Sequence, residues 1–179
     1  MPTSRHVATL LCAGILLACS AEPTPDRILA PHLNLSQTPA NAAGPSASGH
    51  ANVTLVPSGA LRTFSFHARV MPDGSVEGEY ENHNRQLGSM NHGDIDCLRF
   101  IGTNRAVMSG TIRRIVNNPG GTAGGRTIFT VEDNGEGADD PPDRVSSLLL
   151  LPPGSNQDCS NFTNTTSIAI EGGNIRVDP

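Results

Sequence analysis

Residues 63–70 read Thr63-Phe64-Ser65-Phe66-His67-Ala68-Arg69-Val70, a strict alternation of polar and apolar side chains. Every second residue from Phe64 to Val70 is apolar, and the residues between them are polar or charged. Successive side chains of a β-strand point to opposite faces of the sheet, so a period of two predicts a strand that is buried on one side. This stretch therefore predicts that the domain contains β-sheet.

The residues that follow predict a hairpin built on this strand. Pro72-Asp73-Gly74 has the composition of a tight turn, and residues 75–83 alternate again, with Val76, Gly78 and Tyr80 between glutamates. Two alternating segments joined by a short turn are typical of an antiparallel β-hairpin.

Further strands are predicted at short intervals along the chain. They cover residues 51–56, 95–101, 106–116, 126–132, 144–151 and 167–177. About eight short strands predict an all-β domain over residues 50–179, folded as a single antiparallel β-sandwich or β-barrel. Within it, the apolar run 148–151 is expected to be a central strand covered on both faces, with a buried helical turn as the alternative.

The N-terminus has the pattern of a targeting signal. An apolar run at residues 7–17 follows Arg5 and leads into Leu16-Leu17-Ala18-Cys19. Its length fits the roughly 7–15 residues of a secretory h-region and is too short for a membrane-spanning helix, which needs about 20.

This motif resembles the lipobox of bacterial lipoproteins. The resemblance implies that residues 1–18 are a signal peptide and that Cys19 becomes the lipid-bearing first residue. More than one acyl chain makes such anchoring stable, so the implied location is the cell envelope, at the outer membrane or cell surface. An ordinary secretory cut after Ser20, giving a secreted or periplasmic protein, is the alternative.

Residues 19–49 have the composition of a linker. The segment is rich in Ala, Ser, Thr and Asn, and its prolines are Pro23, Pro25, Pro31, Pro39 and Pro45. Such a composition buries too little apolar surface to offset the entropy of ordering, so we expect a lipid-anchored flexible linker.

The four cysteines reduce to one pair in the mature domain. Cys12 lies in the predicted signal peptide and Cys19 is the predicted lipid site, which leaves Cys97 and Cys159. In an exported protein these two predict a disulfide, and the chain-entropy model gives it about 4 kcal/mol. A metal site or a reactive thiol is the alternative.

The loop 132–143 is the strongest candidate for a binding site. Several oxygen-bearing side chains at short spacing, with a glycine at the bend, suit calcium. The candidate ligands are Asp133, Asn134, Glu136, Asp139 and Asp140. Their spacing differs from that of an EF-hand loop, and a solvated acidic turn is the simpler interpretation.

The start of this loop also resembles a turn found in small β domains of large secreted bacterial proteins. The pattern F-T-V-x-D-x-G-E is matched at Phe129, Thr130, Val131, Asp133, Gly135 and Glu136. Such domains have no assigned activity, so the resemblance implies a β fold and nothing more.

Three carboxylates, Glu77, Glu79 and Glu81, fall on one face of the second predicted strand. Paired carboxylates carry out glycoside hydrolysis, but side chains two residues apart are this close on any strand. His67 and His83 also lie on polar strand faces, and two ligands are fewer than a stable zinc site uses. Solvent-facing side chains are the simpler interpretation of both sets.

Composition excludes several functions. The chain has no lysine, which excludes Schiff-base and Walker-type phosphate chemistry, and its net charge of −5 argues against a nucleic-acid partner. The sequence therefore predicts a membrane-anchored, non-enzymatic lipoprotein whose β domain binds a protein or small molecule or has a structural role. A calcium-dependent binding module using the loop 132–143 and a carboxylate-based hydrolase are the alternatives.

Overall fold

The computed structural model describes residues 44–55, 58–137 and 139–179, which form an all-β unit. The strands are β1 (Ser46–Leu55), β2 (Ala60–Val70), β3 (Val76–Asn84), β4 (Ser89–Ile101), β5 (Arg105–Val116), β6 (Arg126–Glu132), β7 (Arg144–Val145), β8 (Leu149–Leu151), β9 (Ile168–Ala169) and β10 (Gly172–Asp178). They form one ten-stranded antiparallel sheet in the order β10-β1-β2-β3-β4-β5-β6-β7-β9, and β8 pairs with β6.

The predicted signal peptide 1–18, the predicted lipid site Cys19 and the predicted linker up to residue 43 lie outside the described residues. In the part of the chain that is described, no helix has the length and apolar character needed to cross a membrane.

The predicted hairpin is confirmed as β2 and β3, which pair from Arg62 with Asn84 to Val70 with Val76. In its turn, Asp73 Oδ1 accepts hydrogen bonds from the hydroxyl and the backbone amide of Ser75, at 2.6 and 2.9 Å. These bonds stabilise the charged carboxylate and hold the pKa of Asp73 below its usual value.

The sheet is not closed into a barrel, because β10 and β9, at the two ends of the strand order, do not pair with each other. Only Ile170 and Glu171 separate these two strands along the chain. The Ile170 amide donates to the Asp143 carbonyl at 2.9 Å, and the Glu171 amide donates to the Asn52 carbonyl at 2.8 Å. A connection this short requires the sheet to curl until its two ends lie side by side.

The main core fills the inner face of this curl. Its centre is an aromatic cluster whose ring centroids lie 4.9–6.5 Å apart, formed by Phe64, Phe66, Tyr80 and Phe129. The alternation predicted for β2 is confirmed, because Phe64, Phe66 and Ala68 are buried while His67 is exposed. Aromatic pairs at these separations add to the stabilisation from area burial alone.

Strand β4 passes directly under the Tyr80 ring at Gly93. A Cβ atom on Gly93 would lie 2.2 Å from the Thr111 carbonyl oxygen and 2.8 Å from the ring. Glycine is therefore required there by close approach, next to a register shift between His92 and Gly93 that increases the local twist.

A second apolar cluster lies on the outer face of β5 and β6. Val107 and Ile128 pack there against Cys159, which belongs to the segment that follows β8. The predicted disulfide is present and joins Cys159 to Cys97 on β4, with Cα atoms 5.8 Å apart. Arg99 binds the same segment by donating to the Cys159 carbonyl at 2.5 Å. Consequently residues 106–110 of β5 and 127–131 of β6 are buried on both faces.

The expectation that residues 148–151 form a central, fully covered strand is wrong. The predicted strand 144–151 is divided into β7 and β8, and β8 pairs with β6 alone and is half-buried. Between them, the Thr130 amide donates to Ser146 Oγ at 2.9 Å, while the Ser146 amide donates to the Thr130 carbonyl at 2.8 Å. The serine hydroxyl thus replaces a backbone acceptor and interrupts the strand.

Two further predicted boundaries differ from the structure. The predicted strand 167–177 is divided into β9 and β10, which lie at opposite ends of the strand order. The strand predicted at 51–56 begins at Ser46, so residues 46–49 belong to β1 and not to the predicted linker. These residues pair with β10, a partner more than a hundred positions away that local composition does not reveal.

Candidate functional site

The acidic loop 132–143 lies against the free edge of β10. Asp143 Oδ2 accepts a hydrogen bond from the Ile175 amide at 2.7 Å, and Asp133 Oδ2 accepts one from the Val177 amide at 3.0 Å. Two carboxylates therefore take the place of a neighbouring strand. We call this contact of Asp133 and Asp143 with β10 the seam.

The second oxygen of each seam aspartate binds the loop itself. Asp143 Oδ1 accepts from the Asn134 amide at 2.8 Å, and Asp133 Oδ1 accepts from the Gly135 amide at 3.0 Å. Each carboxylate thus bridges the loop and β10, and hydrogen bonds to charged acceptors are the stronger kind.

The other candidate calcium ligands are bonded within the protein or exposed. Asp140 Oδ2 accepts from the Gly137 amide at 2.7 Å, Glu136 Oε1 accepts from Asn174 Nδ2 at 2.7 Å, and Asp139 is exposed. Within the described residues, no group of three or more His, Cys, Asp or Glu side chains is placed to hold a metal ion. The geometry gives the loop a structural use, and calcium binding there stays a prediction.

The outer face of β1 to β4 carries the predicted carboxylates and histidines. All three glutamates are exposed: Glu77, Glu79 and Glu81. His83 Nε2 lies 3.0 Å from Glu81 Oε1, His92 Nε2 lies 3.6 Å from Glu79 Oε2, and His67 is opposite Glu79 in the register. Exposed pairs of this kind contribute at most about 1 kcal/mol each. Catalysis by these carboxylates stays a prediction.

The inner face of β2, β3 and β4 ends in polar residues near Leu55. This set, which we call the polar end, consists of Arg62, Asn82, Asn84, Ser89 and Asn91. The three asparagines are at most 4% exposed. Buried polar side chains are normally hydrogen-bonded, so each of them calls for a partner.

One asparagine of the polar end has a structural partner and one has none. Asn84 Oδ1 accepts from the amides of Gln86 and Leu87, both at 3.1 Å, and so holds the turn between β3 and β4. Asn91, which is 1% exposed, has no hydrogen-bond partner for either amide atom within the described residues. Its cross-strand neighbour on the inner face is Asn82.

Arg62 is the charged member of the polar end. Its Nε is buried without a hydrogen-bond partner, and among the described residues no carboxylate lies within ion-pair distance of its guanidinium. Burial lowers the pKa of Arg62. The residue as a whole is half-buried, so the cost falls on the Nε donor, which is out of contact with solvent and has no acceptor in the described part of the chain.

A cavity of about 110 Å³ lies beside these side chains. Its polar lining is Arg62, Asn82, Ser146 and Ser147, and its apolar lining is Val53, Leu55, Phe64, Val145, Leu148 and Ile168. Ser147 is exposed, so the cavity reaches solvent. A mainly apolar wall with a few convergent polar groups is typical of small-molecule sites, although those are usually larger, at about 300–1,000 Å³.

Deeper in the core, the Tyr80 and Thr127 hydroxyls are buried and have no hydrogen bond of good geometry within the described residues. Burial raises the pKa of Tyr80 to about 12, an effect that the nearby Thr127 hydroxyl opposes. A phenol in this position stays neutral at ordinary pH.

The sequence contains a signal for the polar end that the strand patterns passed over. On β3 the side chains that face the core are Tyr80, Asn82 and Asn84. The two asparagines thus stand where the alternation would predict apolar residues. Arg62 precedes Phe64 on the inner face of β2 in the same way. A polar residue at a strand position that faces the core has to be stabilised by hydrogen bonds or by a ligand. Such positions therefore indicate a candidate site.

No family model, curated protein or solved structure matches this chain.

Proposed function

We propose that this chain is an exported lipoprotein, anchored to a bacterial membrane through lipid on Cys19, whose β domain binds a small molecule and catalyses no reaction. The proposal joins the N-terminal motif to the interior of the domain. The motif implies the anchor, and the cavity beside the polar end supplies the binding site.

The observation that carries the binding function is Arg62, which lines the cavity and whose buried Nε has no hydrogen-bond partner within the described residues. A buried donor without a partner costs about 1–3 kcal/mol, and a bound molecule that accepted its hydrogen bond would recover part of that. Engagement of Arg62 by a ligand explains why an arginine is kept at this position.

We further propose that the fold is an incomplete barrel and not a sandwich. The strands follow one another through a single sheet, and two residues join its ends. A ligand site at the mouth of such a curl agrees with the usual placement of pockets in β-barrels.

The binding proposal is tested on the mature protein purified natively from its host. Denaturation followed by mass spectrometry of the released small molecules should show at least one species that is absent when Leu148→Trp fills the cavity. The melting temperature of the variant serves as the control for folding. A crystal structure with only water in the cavity, together with no released species, would refute the binding function.

The anchor is tested separately. The wild-type protein should fractionate with membranes and carry an acylated Cys19 by intact mass, while Cys19→Ser should be found in the soluble fraction. Wild-type protein that is soluble and begins after Ser20 would contradict the lipid anchor and leave the binding site untouched.

A further inference from the structure

The charge and size of the cavity restrict what it binds, and we infer that its ligand is a small organic monocarboxylate whose carboxylate lies against Arg62. This inference rests on the proposed binding function. It adds the chemical class of the ligand and the residue that selects it.

The first step is the sign of the charge. Among the described residues that line the cavity, Arg62 is the only ionisable one, and none is Asp or Glu. Arg105 and Arg126 have carboxylate partners, Glu132 at 2.8 Å and Asp96 at 2.6 Å. Arg69 and Arg114 have none within the described part of the chain, but they are exposed to solvent, whereas Arg62 is half-buried. A half-buried cation without a counter-ion attracts an anion.

The second step is the shape of the donor group. A guanidinium presents its N–H donors in a planar fork that matches a carboxylate with two parallel hydrogen bonds. Asn82 lines the same cavity and adds an amide that donates as well as accepts. The polar groups therefore suit a planar anion more than a neutral alcohol or a cation.

The third step is the remaining wall. The apolar residues that line the cavity include Phe64, Leu148 and Ile168. A fully hydrated oxyanion such as phosphate gains nothing from such a wall, whereas a short hydrocarbon chain is buried by it. The volume of about 110 Å³ is less than the roughly 150 Å³ of an engineered cavity that holds benzene, so the ligand has about four to six heavy atoms.

The test uses sodium butyrate as the probe, with butanamide as its neutral analogue of the same shape and inorganic phosphate as the anion without a chain. Binding to the mature protein is followed by amide chemical shifts in a ¹H–¹⁵N correlation spectrum. Butyrate should bind saturably, with shifts centred on the polar end. Butanamide and phosphate should bind at least tenfold more weakly.

The variant Arg62→Gln should weaken butyrate binding at least tenfold. The matched control is Arg69→Gln, because Arg69 is on the same strand but is exposed on the outer face. That control should bind butyrate like the wild-type protein.

A second measurement separates a ligand-binding role from a structural one. Arg62→Met keeps an unbranched apolar stem but removes the guanidinium and its charge, and it should raise the melting temperature while abolishing butyrate binding. A fall in melting temperature would show that Arg62 stabilises the fold and would overturn its assignment to a ligand.

The outcomes distinguish this inference from the proposed function. If butyrate and butanamide bind equally and Arg62→Gln has no effect, the proposed small-molecule site stands but the inference of a carboxylate ligand is wrong. Preference for phosphate would lead to the same conclusion. Absence of butyrate binding would also overturn the inference, whether or not the native protein releases another molecule.

Discussion

The Asp143 carboxylate accepts a hydrogen bond from the Ile175 backbone amide at 2.7 Å, across the point where the two ends of the sheet meet. The Asp143 side chain thereby accepts the hydrogen bond that a backbone carbonyl of a neighbouring strand would otherwise accept from β10. Asp143 is buried, so the contact is shielded from water.

Replacing this carboxylate should open the seam. Asp143→Asn leaves one oxygen for two backbone donors and turns an N–H group toward one of them, so we expect the free energy of unfolding to fall by about 2–4 kcal/mol. Urea denaturation measures the change. Asp139→Asn, at an exposed position of the same loop, should shift it by less than about 0.5 kcal/mol. Equal effects of the two substitutions would contradict a structural role for the seam.

The disulfide should contribute most of its stabilisation through the unfolded state. Cys97 and Cys159 are 62 positions apart, and the chain-entropy model gives about 4 kcal/mol for a loop of that length. The double variant Cys97→Ala/Cys159→Ala should melt like the reduced wild-type protein, and reductant should have no effect on the variant. A wild-type melting temperature that does not respond to complete reduction would argue against this.

The burial of Tyr80 predicts a loss of stability at high pH. The pKa of Tyr80 is raised to about 12 in the folded protein, whereas an unfolded tyrosine titrates near 10. Above pH ~10 the unfolded chain releases the phenolic proton first, so stability that is fully present below that pH declines between about 10 and 12. Two pKa units correspond to about 3 kcal/mol.

The measurement is direct because Tyr80 is the only tyrosine and the chain has no tryptophan. Ionisation is followed by ultraviolet absorbance, and stability by urea denaturation from pH 8 to 12. Tyr80→Phe should remove this component of the decline, and a Tyr80 that titrates near 10 in the folded protein would disprove the shift.

The close approach at Gly93 predicts intolerance of any side chain. Gly93→Ala places a Cβ atom 2.2 Å from the Thr111 carbonyl oxygen, so a backbone strand must move, and we expect a loss of about 3 kcal/mol or more. Gly120→Ala is the control, since its nearest contact would be 3.3 Å from the Asn118 side chain, and it should change stability by less than about 1 kcal/mol. Thermal unfolding of both variants decides the matter, and similar melting temperatures would rule out the steric account.

The parts of the fold that depend on local pattern were predictable from the sequence. The hairpin of β2 and β3 follows from alternation and turn residues within about twenty positions, and the disulfide follows from the cysteine count together with the predicted export. The pairing of β1 with β10 and the division of 144–151 at Ser146 were not, because they depend on residues that meet only after the sheet curls.

The candidate site illustrates the same difference. The residues singled out by type, among them Asp133 and Glu79, lie at the seam and on the exposed outer face. Arg62 and Asn91 belong to no motif. The alternation puts Arg62 in phase with Phe64, but the absence of hydrogen-bond partners is visible only in the structure. That property is set by the packing of three strands and cannot be read from spacing.

The direction of β1 gives the domain a polarity. The chain enters the sheet at Ser46, and the cavity lies at the Leu55 end of the same strand. Ten residues of strand place about 30 Å between the two points. In the proposed lipoprotein the linker joins the domain at Ser46, so the cavity lies at the end of β1 opposite to the attachment point.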